Sequence, residues 1–132
     1  MKQKKYVISI CTPTFNSEKY LEKTIKSVIG QGYGNIQLII IDGGSTDGTI
    51  KIIKKYKKYI NYWVSEKDKG IYDAWNKGLK VAKGEIFGIL SSDDFYYNNT
   101  FSIVNRYFKK FPKINFLFGA TKMKWGVVHK YK

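Results

Sequence analysis

Two adjacent carboxylates, Asp93 and Asp94, follow the apolar run EIFGIL at residues 85–90. At the end of a buried segment they repel each other, and desolvation penalises both unless a cation or hydrogen-bond donors compensate. A divalent ion such as Mg²⁺ or Mn²⁺, held by one or two carboxylates and by phosphate oxygens, would compensate in this way. His129 is the only histidine, which excludes a histidine-rich metal site. We therefore interpret Asp94 as a ligand of a divalent metal, with a plain turn as the alternative.

The other aspartates occupy similar positions relative to predicted strands. Asp42 ends one apolar run and Asp68 follows another, whereas Asp47 and Asp73 lie in the first turns of the helices that come next. Carboxyl ends of parallel strands meet at one edge of a sheet, and ligands of such folds bind there. Asp47 and Asp73 have a simpler alternative role, because an aspartate in a first turn stabilises its helix through the macrodipole.

Two loops indicate what kind of ligand this edge would bind. The stretch TPTFN at residues 12–16 follows a strand and precedes a helix, so its backbone N–H groups can face an anion. The stretch IDGGSTDGT at residues 41–49 combines glycines, hydroxyls and Asp42, whose carboxylate could accept an N–H bond from a planar base. A nucleoside diphosphate with a metal fits these groups better than free phosphate or polyphosphate.

The positioning elements follow an alternating pattern. Apolar runs at residues 6–11, 36–41, 60–65, 85–90 and 114–120 predict strands, and amphipathic segments between them predict helices. The first helix is predicted to have Asn16 or Ser17 as its N-cap. The pattern predicts an α/β fold, a Rossmann-like and mostly parallel sheet flanked by helices.

Composition narrows the classes of function. The 132 residues suit one domain. Cys11 is the only cysteine, which excludes a disulfide framework, and we expect an inert, buried thiol. The formal charge is +14, but Arg106 is the only arginine among 24 basic residues, which weakens the case for base-specific nucleic-acid binding. We therefore expect no nucleic-acid partner. No apolar run approaches the roughly 20 residues of a membrane span, so we expect a cytoplasmic chain.

Four blocks together resemble inverting family 2 glycosyltransferases of the GT-A fold, in the branch that makes bacterial polysaccharides and lipopolysaccharides. The blocks are ISICTPTFNSEKYLEKTIKSVIGQ, IIIDGGSTDGT, SEKDKGIYDAWNKGLKVAKGE and GILSSDDFY, covering about residues 7–96, with weaker similarity to about residue 120. The resemblance implies inverting transfer of a sugar from a UDP, dTDP or GDP donor, with Mg²⁺ or Mn²⁺, to a hydroxyl of a saccharide or lipid-linked acceptor.

The resemblance also implies roles for particular residues. These are Thr12 and Pro13 bordering the nucleotide, Asp42 binding its base, Asp93 touching its ribose, Lys69 contacting the diphosphate, Asp94 binding the metal, and Asp68, Asp73 and Asn76 shaping the donor-sugar pocket.

Two departures from the family pattern affect these expectations. Ser92 replaces the first acid of a strict Asp-x-Asp motif, which leaves Asp94 as the main metal ligand. Family members continue into an acceptor-binding half with a catalytic base, whereas no Asp or Glu follows Asp94 here, so the base is unknown. We expect one donor-binding domain over residues 1–132, truncated before the acceptor half. The alternatives are a non-catalytic nucleotide-sugar-binding module and, less favoured, a basic nucleic-acid-binding domain.

Two kinds of contact follow from the surface composition. The basic surface is compatible with peripheral membrane contact, since related enzymes often use lipid-linked acceptors. The apolar segment INFLFGATKMKWGVV, if it formed the edge of the sheet, would favour self-association into a homo-oligomer.

Overall fold

A four-stranded parallel sheet organises the chain, as seen in a computed structural model that describes residues 4–122 and 128–129. The strands are β1 (Ile8–Thr14), β2 (Ile36–Asp42), β3 (Tyr62–Ser65) and β4 (Ile86–Ile89). The helices are α1 (Leu21–Ile29), α2 (Thr49–Lys55), α3 (Ile71–Val81) and α4 (Thr100–Lys110). A separate antiparallel pair joins β5 (Thr121–Lys122) to β6 (Val128–His129). The predicted α/β class with a parallel sheet is confirmed.

The strand order β3-β2-β1-β4 places β1 in the centre. The chain moves outward from β1 to β2 and β3 on one side, and then returns to place β4 on the other. The strand order therefore reverses beside β1, and a crevice at such a reversal is where open α/β sheets bind their ligands.

Alternating side chains of the sheet enter two apolar layers. Ile8 and Ile10 of β1 lie in a cluster with Leu21 and Ile25 of α1. Cys11 lies on the opposite face with Ala74 of α3 and with residues of β2. Burial raises the pKa of the Cys11 thiol to about 11, which keeps it protonated at neutral pH as expected for an inert thiol.

The predicted fifth strand at residues 114–120 is not formed. Residues 115–120 lie outside the strands of the described structure and are exposed, and the rings of Phe116 and Phe118 stack with centroids 6.5 Å apart. An apolar run becomes a strand only when a neighbouring strand accepts its backbone bonds, and β4 pairs only with β1 among the described residues. The expected apolar edge strand is therefore wrong where it can be tested, and residues 123–127 of that segment lie outside the described residues.

The start of the first helix also differs from the prediction. Helix α1 begins at Leu21 after an N-cap at Tyr20, which makes no side-chain capping bond. Asn16 instead adopts a positive φ of 45°, and its side-chain oxygen accepts the Thr46 N–H at 2.8 Å. The side chain that could have capped the helix thus joins two loops, which is why the helix starts later.

Helix α3 buries only a narrow stripe of small residues against the sheet. Ala74 and Gly78 are buried, but Ile71 and Leu79 remain 47% and 55% exposed. A Cβ placed on Gly78 would lie 2.2 Å from the Cys11 sulfur, so the helix packs closely on the sheet through its small residues. This close contact covers only the middle of the face, and the flanking Ile71 and Leu79 stay outside it.

Candidate functional site

The carboxyl ends of the strands bring the predicted site residues to one edge of the sheet. Thr14 of β1 lies opposite Asp42 of β2, and Asp42 lies opposite Ser65 of β3. The segment after β4 reaches the same edge, because the Ser92 hydroxyl lies 2.7 Å from the Ser17 hydroxyl, which follows β1. Loops from all four strands therefore meet here, as the positions of the aspartates predict.

Asp42 is fully buried and organises the loop that follows it. Its Oδ2 accepts the Gly44 N–H at 3.0 Å, the Ser45 N–H at 2.9 Å and the Ser65 hydroxyl at 2.6 Å. Its Oδ1 accepts the Ser45 hydroxyl. These donors compensate a buried carboxylate for lost hydration. The carboxylate faces the protein in this conformation, and its contact with a base stays a prediction.

The loops after β1 and β2 are joined by further hydrogen bonds. The Asn16 N–H donates to the Ser45 hydroxyl at 2.8 Å, and the Ser17 N–H donates to Thr49 Oγ1 at 2.8 Å. Asp47 accepts the Thr49 N–H at 2.9 Å just before α2. Desolvation opposes its charge, but bonds from Thr49 and Glu18 outweigh it and lower the pKa of Asp47. Asp47 thus stabilises a helix start, which was the simpler of its two interpretations.

Helix α1 positions the segment that contains Asp93 and Asp94. The buried Thr24 hydroxyl contacts the Ser92 carbonyl at 2.9 Å and the Asp94 carbonyl at 2.6 Å. The Asp94 N–H donates to the Ser91 carbonyl at 3.0 Å, closing a turn. Thr24 was not predicted as a residue of the site, because it lies 68 residues before Ser92 on another element. The one signal for Thr24 in the sequence was a hydroxyl on the buried face of an amphipathic helix.

Asp93 and Asp94 present two exposed carboxylates. Desolvation, and then the charge of Asp93, raise the pKa of the Asp94 carboxyl. Within residues 4–122 neither side chain accepts a hydrogen bond or forms an ion pair, so both carboxylates are open to a ligand.

The carboxylates of Asp93 and Asp94 fit a metal ion whose other ligands come from a bound molecule and from water. No group of three or more His, Cys, Asp or Glu side chains that could hold a metal is found in the described part of the chain. One or two carboxylates suffice for Mg²⁺ or Mn²⁺ when diphosphate oxygens and water complete the coordination. The predicted role of Asp94 is compatible with this geometry and stays a prediction.

The loop after β3 is ordered by its own carboxylates. Asp68 Oδ1 accepts the Gly70 N–H at 3.0 Å, and Asp73 Oδ2 accepts the Lys69 N–H at 3.0 Å. The bond from the Lys69 N–H is the main cause that lowers the pKa of Asp73, and Lys77 at 3.3 Å adds to it. The side chains of Lys69 and Asn76 are exposed, so both could reach a ligand.

Thr12 and Pro13 lie within β1 and are buried. The hydroxyls of Thr12 and Thr14 are buried without a hydrogen-bond partner within the described residues. Thr12 and Pro13 can therefore border a nucleotide only from beneath, below the exposed residues of the following loop.

The model of the family described as glycosyl transferase family 2 matches residues 9–132. The chain belongs to glycosyl transferase family 2. Its class as a glycosyltransferase, expected from the four blocks, is confirmed at the level of the family.

Three relatives illustrate the similarity of this family 2 chain to known proteins. It is 38% identical over 119 residues to the dolichyl N-acetyl-α-D-glucosaminyl phosphate 3-β-D-2,3-diacetamido-2,3-dideoxy-β-D-glucuronosyltransferase of Methanococcus voltae, covering 81% of this chain and 36% of the relative. It is 38% identical over 93 residues to a Bacillus subtilis protein provisionally assigned to teichuronic acid biosynthesis, covering 68% of this chain and 37% of that one. The structure of Staphylococcus aureus TarS 1-349 with UDP-GlcNAc matches with a TM-score of 0.72 at 28% identity, covering 78% of this chain and 31% of that one.

The family 2 chain spans about a third of the length of the curated relatives that it matches. No helix within the described ranges is both long enough and apolar enough to cross a bilayer.

Proposed function

We propose that this chain is the donor-binding part of a glycosyltransferase. It binds a nucleotide-diphosphate sugar with Mg²⁺ or Mn²⁺ at the carboxyl edge of the sheet, for inverting sugar transfer to a hydroxyl. One observation carries the proposal: the open carboxylates of Asp93 and Asp94 lie on a segment that Thr24 and Ser17 hold beside the loop after β1. The TarS complex with UDP-GlcNAc supports a nucleotide-sugar donor.

The exposed residues of the edge divide into roles by their chemistry. Asp94 binds the metal, which neutralises the departing diphosphate when bound. Asp93 accepts hydrogen bonds from ribose hydroxyls, and Lys69 contacts the diphosphate as a point charge. Asp68, Asp73 and Asn76 shape the donor-sugar pocket, in the loop before α3 and the first turns of that helix.

The buried residues of the edge support the nucleotide from below. Thr12 and Pro13 border the nucleotide through the end of β1. Asp42 holds the loop after β2 and binds the base, as the resemblance implies. UDP, dTDP and GDP donors all present a ring N–H that a carboxylate can accept.

The catalytic base has no candidate in this sequence, since no Asp or Glu follows Asp94. We propose that the base belongs to a part of the enzyme outside these 132 residues, in keeping with the share of the relatives' length that the chain spans. Holding the donor in one geometry lowers the entropic part of the barrier. The second candidate function is a module that binds the nucleotide sugar without catalysis, which the same absence of an acid favours.

We propose that the acceptor is a saccharide or a lipid-linked molecule used in the synthesis of cell-surface polysaccharide. Two relatives support this class of acceptor. The M. voltae relative is named for a dolichyl phosphate-linked sugar, and the B. subtilis relative for teichuronic acid. A basic surface groove lies near the start of β1 and the C-terminal half of α4, away from the carboxyl edge, and is lined by Lys4, Arg106, Lys109 and Lys110. We propose a cytoplasmic enzyme in which this groove contacts an anionic membrane surface.

Calorimetric titration tests the proposed function. UDP, dTDP, GDP and CDP are titrated into the chain with Mn²⁺ and again with EDTA. Metal-dependent binding of one nucleotide supports the proposal, and no binding under any condition overturns it for this chain. Salt-sensitive binding of RNA that exceeds nucleotide binding would instead favour the basic nucleic-acid-binding alternative.

A further inference from the structure

An apolar cleft opens near the amino end of β2, at the opposite end of the strands from the carboxylates. Side chains from the end of α1, from β2 and from the loop before β3 line it, among them Ile29, Ile36 and Tyr59. All of the described residues that line the cleft are uncharged. Its volume is about 290 Å³, close to the lower limit of about 300 Å³ for sites that bind small molecules.

Glycines shape the opening of this cleft. Gly32 has a φ of 66° and Gly34 a φ of 87°, in the left-handed region that residues with a Cβ rarely adopt. A Cβ placed on either glycine would meet nothing within 4 Å, so the space beside them is open. Tyr59, which is 52% exposed, completes the lining. The cleft is therefore shaped by the backbone of the loop and lies open at the surface.

The cleft adjoins the basic groove. Tyr33 lines the cleft, and its hydroxyl contacts Oδ1 of Asn105, which lines the groove, at 3.0 Å. Asn105 Oδ1 also accepts the Tyr6 N–H at 3.0 Å, which ties α4 to the start of β1. The Lys5 ammonium donates to the Tyr33 carbonyl at 3.1 Å and places a further cation between the two. An apolar surface and a cationic surface thus lie side by side.

Most of the positive charge in the groove is not balanced by the protein. Lys4 forms an ion pair with Glu85 at 2.7 Å. Arg106, Lys109 and Lys110 form no ion pair within residues 4–122. Their charges therefore favour an anionic ligand in the groove.

We propose that the groove and the cleft together bind one anionic membrane lipid. Its phosphate headgroup contacts Arg106, Lys109 and Lys110, and one acyl chain enters the cleft. This inference rests on the membrane contact in the proposed function and names the ligand of that contact. A basic surface alone gives a weak contact that salt screens, and stable membrane binding takes a second, apolar signal. The cleft supplies that second signal.

Charge and polarity favour a lipid over two other occupants. A second copy of this chain, with its formal charge of +14, would bring further positive charge to a face that is already basic. A nucleic acid would match the charge of the groove but would leave the apolar cleft beside it empty. A lipid with a phosphate and an acyl chain matches both surfaces at once.

Titration with monoalkyl phosphates tests the inference on the whole chain without nucleotide. Butyl, hexyl, octyl and decyl phosphate are titrated by calorimetry below their micelle concentrations. Affinity is expected to rise about fourfold for each added methylene until the cleft is filled. Inorganic phosphate, and octyl maltoside with its uncharged head, are both expected to bind more weakly than octyl phosphate. An affinity that does not depend on chain length would overturn the assignment of the cleft.

Tyr59→Asp places a charge in the lining of the cleft. It is expected to remove the dependence on chain length and to leave the affinity for inorganic phosphate unchanged, while Tyr59→Phe keeps the dependence. Tyr72→Asp, the same change at a side chain that is 72% exposed on α3, is the matched control. Circular dichroism checks the fold of each variant. A chain-length dependence that survives in folded Tyr59→Asp would place the alkyl chain elsewhere and overturn the proposal.

Charge removal in the groove should have the opposite signature. Lys109→Gln combined with Lys110→Gln is expected to weaken every alkyl phosphate about tenfold, without changing the gain for each methylene. Lys51→Gln combined with Lys54→Gln, at exposed positions of α2, removes the same charge elsewhere and should change neither quantity. Equal losses in the two double variants would mean that the groove makes no specific contact.

Flotation with vesicles tests whether the lipid belongs to a bilayer. Binding is expected to phosphatidylcholine vesicles that contain phosphatidylglycerol and not to phosphatidylcholine alone, and Tyr59→Asp is expected to lose it at a lower salt concentration. No binding to either vesicle would overturn the bilayer as the source. A lipid-free dimer in light scattering that Tyr59→Asp dissociates would instead make the cleft an interface between copies. Nucleotide titration with Mn²⁺ is a separate measurement, so lipid binding without nucleotide binding would refute the donor role and not this inference.

Discussion

The hydroxyls of Ser17 and Ser92 lie 2.7 Å apart and connect the segment after β1 to the segment after β4. Ser92 occupies the position where a strict Asp-x-Asp motif has its first acid. In this chain that position makes a neutral contact within the protein, and the charged positions that follow it remain exposed. The contact therefore positions Asp94 without competing for a metal.

Removing either hydroxyl should loosen the segment that contains Asp94. Ser92→Ala and Ser17→Ala are each expected to weaken Mn²⁺-dependent nucleotide binding about two- to tenfold, the scale of one hydrogen bond. The double variant should lose little more than one single variant, since both remove the same contact. A full double-mutant cycle by calorimetry measures this coupling, and strictly additive losses would contradict it.

Thr24→Val should affect stability and binding together. The substitution keeps the side-chain shape but leaves the carbonyls of Ser92 and Asp94 without the hydroxyl of Thr24, which is itself buried. A loss of about 1 to 3 kcal/mol in the free energy of unfolding is expected, with weaker metal-dependent binding. Thr46→Val, at an exposed position, is the control. Urea unfolding of both variants gives the comparison, and an equal effect would count against the role of Thr24.

Asp94→Ala should abolish the difference in nucleotide affinity between Mn²⁺ and EDTA while the fold is kept. The side chain is exposed and takes part in no hydrogen bond or ion pair within residues 4–122, so its loss leaves no partner unsatisfied. Circular dichroism checks the fold, and Glu85→Gln controls for the loss of a negative charge elsewhere. A metal effect that survives in the Asp94→Ala variant would remove Asp94 from the site.

Glu22 should make stability depend on pH in an acidic window. Hydrogen bonds from Lys55, at 2.6 Å, and from Tyr56 lower the pKa of Glu22 from 4.5 to about 2. A lowered pKa means that its contribution is complete above pH 4.5 and is lost as the pH falls from 4.5 towards 2. The residue is exposed enough for solvent to screen the pair, so the effect is small. Thermal unfolding from pH 6 to about 2 should show a shallower decline for Glu22→Gln than for the unaltered chain.

Gly78→Ala should destabilise the chain although alanine favours helices. Helix propensity alone would stabilise it by about 1 kcal/mol. The new Cβ would lie 2.2 Å from the Cys11 sulfur, and overpacking of this kind costs about 1 to 3 kcal/mol or more. A lower midpoint of urea unfolding is expected, with Gly119→Ala unchanged. A raised midpoint would mean that α3 can move away from β1 without a loss of stability, which would contradict the prediction.

Local patterns in the sequence determined most of the strands and helices of this protein. Four strands and four helices follow from apolar runs and amphipathic periods, and Asp42 lies at the end of β2 as predicted. Four blocks of the sequence also sufficed to indicate the family. These features could be predicted because burial of a strand or a helix face depends on residues close together in the chain.

Only the tertiary structure decided which side chains remain open to a ligand. Asp42 is enclosed by Ser65, which lies 23 residues away, and Asp68 lies against Gly43. Residues 114–120 are as apolar as a strand but form no strand in the described part of the chain. Each outcome depends on which segments meet in space, and a local pattern records only the tendency of a segment to be buried. The sequence alone therefore located the edge with the carboxylates, and the packing of its loops decided which of them are enclosed by the protein and which stay exposed.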